Sequence, residues 1–153
     1  MARRVVNPPL REIAAAGLME PIDQPELSES QRRAAGRCLS LRLPYPPSVN
    51  HIWRRVGPRT VISREGRRYR TDVCAALAAM RVARMDGRLA VRVTVCPPDN
   101  RRRDLDNVQK ALLDALAKGG AYGDDSQIDR LEVDRGPVVS GGMVEVQVRE
   151  IAP

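Results

Sequence analysis

The chain has 153 residues, 42% of them hydrophobic, which fits one globular domain with a real core and excludes a disordered or fibrous chain. Aromatics make up 3% and phenylalanine is absent, so the core must be aliphatic. The net charge of +7 is unevenly spread: residues 1–37 carry +1, residues 38–103 carry fifteen basic against four acidic side chains, and residues 104–153 carry five against ten.

A basic half joined to an acidic half suits nucleic-acid binding beside a metal site, with an arginine-rich codon bias as the alternative. All basic residues are arginine except Lys110 and Lys118, and arginine suits bidentate phosphate contact. Cys38, Cys74 and Cys96 are odd in number and widely spaced, and with His51 as the single histidine they make no zinc pattern. A reduced, cytoplasmic setting is expected. No apolar run approaches membrane-spanning length, so no membrane partner is expected, and Asn7-Pro8-Pro9 stands where a signal peptide would be apolar.

In chain order, residues 1–37 read as a flexible N-terminal extension, dispensable for chemistry, with one short helical stretch at Ile13–Met19. Residues 38–153 read as the working domain. Leu39, Leu41 and Leu43 alternate with polar residues and predict a first strand over Cys38–Leu43. The prolines of Pro44–Asn50 argue against helix or inner strand. His51–Ile62 predicts a basic hairpin or loop turning at Gly57-Pro58. It carries Trp53 among Arg54, Arg55 and Arg59. Stacking on a base and pinning the loop to the core are both open to Trp53. As the only tryptophan of an aromatic-poor chain, it is expected to be pinned. Ser63 should cap a helix that runs to about Met85 and stops near Gly87. Leu89–Cys96 is the clearest strand, with Val91, Val93 and Val95 alternating. Ile128–Val133 and the Val144, Val146, Val148 alternation predict two more strands, joined by a turn from Gly136 to Gly142. The order β–(hairpin)–α–β–α–β–β predicts an α+β fold, a small mixed β-sheet packed with two main helices.

Between the strands predicted at Leu89–Cys96 and Ile128–Val133 lies the stretch with the most chemistry. Leu105, Val108, Leu112, Ala115 and Leu116 fall on one helical face, Lys118 suits the negative helix end, and Gly119-Gly120 predicts the stop. Asp104 or Asp106 is the natural N-cap, and Asp106 lies one turn from Lys110. Asp124-Asp125 follows the helix, and Arg101-Arg102-Arg103 precedes it. Singly these are ordinary caps, pairs and turns. Together they suit a metal-dependent phosphodiesterase, in which arginines hold the polyanion and carboxylates hold a hard cation that activates water.

Leu43-Pro44-Tyr45-Pro46-Pro47-Ser48-Val49-Asn50, Arg102 to Lys110 and Asp124-Asp125 resemble the RusA family of Holliday-junction resolvases, over about Leu39 to Ile151. The resemblance implies a Mg²⁺ site formed by Asp104, Asp106 and Asp125, with Lys110 needed for catalysis. It also implies a homodimer that nicks two opposing strands of four-way junction DNA, in recombination and repair. Arg101, Arg102, Arg103 and Asn107 are then expected at the DNA, positioning the backbone without reading bases. The sequence departs from the family pattern at Leu113, where an aromatic is expected, at Ala121 and Gly123, where bulkier residues are expected, and in its N-terminal extension. Two other readings stay open: a non-catalytic basic nucleic-acid-binding module whose aspartates are caps and turns, and a nuclease acting on other branched or flap DNA.

Overall fold

The computed structural model describes residues 36–151. Most of the expected extension therefore lies outside the described residues. Its last residue, Arg37, belongs to the body instead. The Arg37 guanidinium donates to the carbonyls of Ala83 (3.0 Å) and Arg84 (2.9 Å), and its own carbonyl accepts from Glu150 N–H.

Four strands form one mixed sheet in the order β1-β6-β4-β5. They are β1 (Cys38–Pro44), β4 (Arg88–Cys96), β5 (Ile128–Arg135) and β6 (Met143–Ile151). Strand β6 pairs antiparallel with both β1 and β4, while β5 runs parallel to β4. The register explains the sequence alternation. Leu41, Val146, Val93 and Val133 form one row across the sheet, and Leu43, Val144 and Val95 form the next. This aliphatic face is covered by α2 (Arg64–Ala79) and α3 (Asp106–Lys118), whose Val73, Leu77, Leu112 and Leu116 complete the core. Each such side chain contributes about 1.5–3 kcal/mol on burial. The opposite face is polar and carries cross-strand ion pairs, Arg42–Glu145 at 3.0 Å and Arg92–Glu132 at 2.9 Å. Exposed pairs of this kind fix register more than they add stability. The α+β architecture is the one the sequence predicts.

Between β1 and α2 the chain makes a short helix α1 (Val49–Ile52) and a separate hairpin, β2 (Trp53–Val56) with β3 (Arg59–Ile62). The hairpin turns at Gly57-Pro58 as expected. The helix corrects the expectation for Pro44–Asn50: Val49 and Asn50 are helical because Ser48 accepts from Asn50 N–H as a cap. Pro44 is tolerated in β1 because that strand is an edge. Trp53 is also corrected. It is 40% exposed and stands outside the core cluster, on a hairpin whose residues 53–60 are all exposed.

Ser63 caps α2 as predicted, its Oγ accepting from Gly66 N–H at 3.0 Å. The helix ends at Ala79, six residues before the predicted end. Arg81 takes the left-handed conformation (φ 50°), and Val82 N–H reaches back to Leu77 O while Arg81 N–H reaches Ala78 O. This closes the helix in the manner of a Schellman motif. Arginine at a position that favours glycine hid the stop from the sequence pattern. Arg81→Gly is expected to raise the unfolding free energy by about 0.5–1 kcal/mol by relieving the left-handed strain. Urea denaturation with an unchanged m-value checks this.

Candidate active site

Helix α3 begins at Asp106, with Leu105 in the cap position and no side-chain capping bond. Neither Asp104 nor Asp106 is therefore the N-cap that the sequence suggests. Asp104 precedes the helix and Asp106 stands in its first turn. Both carboxylates are exposed, and among the described residues neither has a side-chain hydrogen bond or ion pair. That leaves them available to a ligand, near the positive end of the helix dipole.

At its other end the helix closes on the predicted glycines. Gly120 takes φ 85°, Gly120 N–H bonds Ala117 O, and Ala121 N–H bonds Leu116 O at 3.0 Å. The chain then folds back along α3. Tyr122 is 1% exposed and donates its hydroxyl to Leu113 O at 3.0 Å. Burial first, then the nearby Asp125 carboxylate, pushes the Tyr122 phenol well above its ordinary pKa, so it stays a neutral donor.

The next turn separates the two adjacent aspartates. Asp124 caps the 3₁₀ turn Asp125–Gln127, accepting from Ser126 N–H at 2.9 Å, and hydrogen bonding from the Ser126 side chain, then from its N–H, holds the Asp124 pKa low. The Gln127 carbonyl oxygen accepts from Gly123 and Asp124 N–H, and its amide donates to Met85 and Gly87 carbonyls. Asp124 is thus occupied in structure, and Asp125 is the one presented to Lys110, at 3.5 Å. Lys110 also holds Asp114 at 2.8 Å, which raises the lysine pKa, with Asp125 adding to the effect. The one-turn partner of Lys110 is therefore Asp114, not Asp106, with Asp125 as a second, longer contact. Sequence reading missed Asp114, Tyr122 and Gln127. The Asp124-x-x-Gln127 capping-box spacing was the available signal for the last of these.

On the other side of α3's start, a cleft of about 480 Å³ is lined by Tyr45, Pro46, Pro47, Ser48 and His51 from one wall. Arg101, Arg102, Arg103, Asp104 and Asn107 line the other. The proline segment and the arginine-aspartate segment, far apart in sequence, thus share one cleft. The three arginines are not equivalent. Arg103 is clamped to Asp99 through both guanidinium nitrogens (2.5 and 3.0 Å), and its carbonyl accepts from Arg135 at 2.7 Å. It shapes the loop and is not free for phosphate. Arg101 and Arg102 are exposed, Arg101 with only a long 3.9 Å pairing to Asp99. Of the eight residues expected at the site, five line this cleft and Lys110 meets Asp125 at a second cluster. Asp106 stands between Asp104 and Asn107 in the chain but is not among the residues that line the cleft.

Three carboxylates suit a hard divalent cation in donor type. Asp104 and Asp106 are unengaged, and Asp125 is held only by Lys110. Among the described residues, no three His, Cys, Asp or Glu side chains are gathered closely enough to enclose an ion. The carboxylates fit the group in donor chemistry, but the described structure does not gather the three of them around one point.

A family model described as Endodeoxyribonuclease RusA matches residues 44–149. The chain is 43% identical over 110 residues to the crossover junction endodeoxyribonuclease of Enterobacteria phage HK97, covering 71% of this chain and 92% of that protein. It is 41% identical over 116 residues to the crossover junction endodeoxyribonuclease of Escherichia coli (strain K12), covering 73% and 94%. The corresponding protein of Enterobacteria phage 82 is 41% identical over 115 residues, covering 72% and 93%. These matches, on this fold, define an enzyme of the endodeoxyribonuclease class. The chain belongs to the RusA family.

The Asp99–Arg103 clamp has a pH signature. The hydrogen bond from Arg103, then that from Arg101 N–H, depresses the Asp99 carboxyl to about 2. A depressed acid stabilises the loop fully above its unfolded pKa, near 4, and loses that contribution as pH falls toward the folded value. An NMR titration of Asp99 is expected to show a midpoint near 2. Asp99→Asn is expected to speed amide exchange across residues 99–103 at neutral pH.

Proposed function

We propose that the chain is a Mg²⁺-dependent endodeoxyribonuclease that resolves Holliday junctions by paired, symmetric nicks, in DNA recombination and repair. The observation that carries this reading is the shared cleft, in which the proline segment faces Arg101, Arg102 and Asp104. Of its charged lining, Arg102 and Asp104 have no ion-pair partner among the described residues, and Arg101 has only the long pairing to Asp99. The names of the relatives, crossover junction endodeoxyribonucleases, point to the same substrate.

Asp104, Asp106 and Asp125 would hold Mg²⁺. Bound there, the metal would lower the pKa of a water and neutralise the scissile phosphate. Arg101 and Arg102 bind the DNA backbone electrostatically, without base readout. Asn107, on the same cleft wall, places an amide where it can hydrogen-bond a phosphate oxygen. Lys110, kept protonated by Asp114 and Asp125, presents a positive charge to the oxygen on which charge develops. Tyr122 and Gln127 hold the Asp125 turn in place. The cysteines Cys38, Cys74 and Cys96 are all free, and no helix among the described residues is long and apolar enough to cross a membrane. Free thiols support the cytoplasmic setting proposed for a DNA-acting enzyme.

Asp104→Asn, Asp106→Asn and Asp125→Asn are each expected to abolish cleavage of a synthetic four-way junction in Mg²⁺ while junction binding persists. Asp124→Asn is expected to cut normally, since asparagine caps as well as aspartate. Lys110→Met is expected to slow cleavage roughly 10²–10³-fold. Wild-type rates from any of the first three variants would remove that residue from the metal set. Cleavage without any divalent ion would remove the metal from the proposal.

One site per chain makes one nick, and a four-way junction requires two placed symmetrically. A C2 homodimer supplies both and mirrors the substrate. Light scattering at micromolar protein is expected to give twice the chain mass. A monomer that still makes paired nicks would sink the dimer.

A further inference from the structure

Beyond its root, the β2–β3 hairpin contributes no residue to the core cluster of the described chain. Its root is fixed: Ile52 is 4% exposed, Ile62 packs against the core, and Ser63 N–H bonds Ile52 O at 2.6 Å. Beyond that root, residues 53–60 are all exposed. They include Trp53 at 40% and Val56 at 50%, two of the four exposed large hydrophobics among the described residues. Trp53 pairs with Ile62, so it stands at the root of the hairpin. It follows directly on α1, whose His51 lines the cleft that holds Asp104.

The arginines of the same element are among those without a carboxylate partner. Arg42, Arg84, Arg88, Arg92 and Arg103 are each paired to a carboxylate. Arg54, Arg55 and Arg59 have no such partner among the described residues, and the sequence has no acidic residue between His51 and Arg64. An exposed indole among unneutralised guanidinium groups is the chemistry that binds nucleic acid by stacking and phosphate contact together.

We propose that this hairpin is a branch-sensing arm, in which Trp53 stacks on a base face exposed at a DNA branch point while Arg54, Arg55 and Arg59 hold the adjacent phosphates. The inference rests on the junction-cleaving reading above and adds to it a source of structural selectivity. In an intact duplex each base face is covered by its neighbours, so an aromatic ring has nowhere to stack without unstacking a step. At a branch point the stack is interrupted and base faces become available. Arm arginines would bind any DNA, but the indole would favour branched DNA over linear.

The single tryptophan makes the test direct, because its emission reports this hairpin alone. The full chain is titrated, without divalent metal, with a fluorescently labelled four-way junction and with a linear duplex of one arm's sequence. Binding is followed by anisotropy and Trp53 by its emission. The junction is expected to quench Trp53 and the duplex to leave it nearly unchanged. Trp53→Ala is expected to weaken junction binding roughly tenfold to a hundredfold, with duplex binding and salt slope unchanged. Trp53→Phe, which keeps a stacking ring, is expected to restore most of the junction affinity. Arg54→Gln with Arg55→Gln is expected to weaken junction and duplex alike and flatten the salt slope by about one to two units. Saturating junction binding with unmoved emission, or a Trp53→Ala protein that binds and cuts junctions like wild type, overturns the arm while leaving the nuclease intact. A wild-type chain that binds no junction overturns both.

Discussion

The meeting of Lys110 and Asp125 depends on the chain reversing at the end of α3 and running back beside it. Lys110 and the helix end are eight residues apart, about 12 Å of helix. Asp125 must recover that distance to meet the lysine at 3.5 Å. Gly119-Gly120 ends the helix cleanly, burial of Tyr122 fixes the direction of return, and the Gln127 amide ties the turn to Met85 and Gly87. None of these residues need touch substrate. They act through one carboxylate, and without them Asp125 would be an ordinary exposed aspartate on a loop.

The arginines show how one residue type serves two purposes in a single chain. Those facing carboxylates on the polar sheet surface hold strand register and have their charge neutralised locally. Those of the hairpin, and Arg102 at the cleft, have no carboxylate partner among the described residues. The hairpin thus carries three arginines and no acidic residue, while arginines on the sheet surface face carboxylates. Arg103 shows the limit of reading charge from sequence. It is chemically identical to Arg101 and Arg102, but the loop geometry commits it to Asp99. One of three consecutive arginines therefore builds the loop that displays the other two.

Much of this was legible from sequence because it was periodic. The alternating valines gave the strands, the 3.6-residue spacing gave α3, and the paired glycines gave its end. Asp104, Asp106, Lys110 and Asp125 stood out by their spacing around that helix and by the family motif. What escaped the sequence was set by single local conformations or by tertiary surroundings. Arg81 ends α2 in a conformation that its side chain does not advertise. Asp124 and Asp125 look interchangeable until one is seen to cap a turn. Trp53 looked like core material because aromatics are scarce, yet its strand is four residues long and meets no core. Scarcity says nothing about whether a neighbour exists to pack against.

The sheet order carries a consequence for how the molecule is made. Strand β6 is the last element of the described chain, but it lies inside the sheet, between β1 and β4. Until its nine residues emerge from the ribosome, β1 has no partner and β4 has only β5. The valine rows stay open along their middle during synthesis. Such long-range closure is slow relative to local helix formation. Folding of the aliphatic core is thus deferred until β6 has been made, and a chain cut short before Met143 would leave both β1 and β4 with bare edges open to association with other chains.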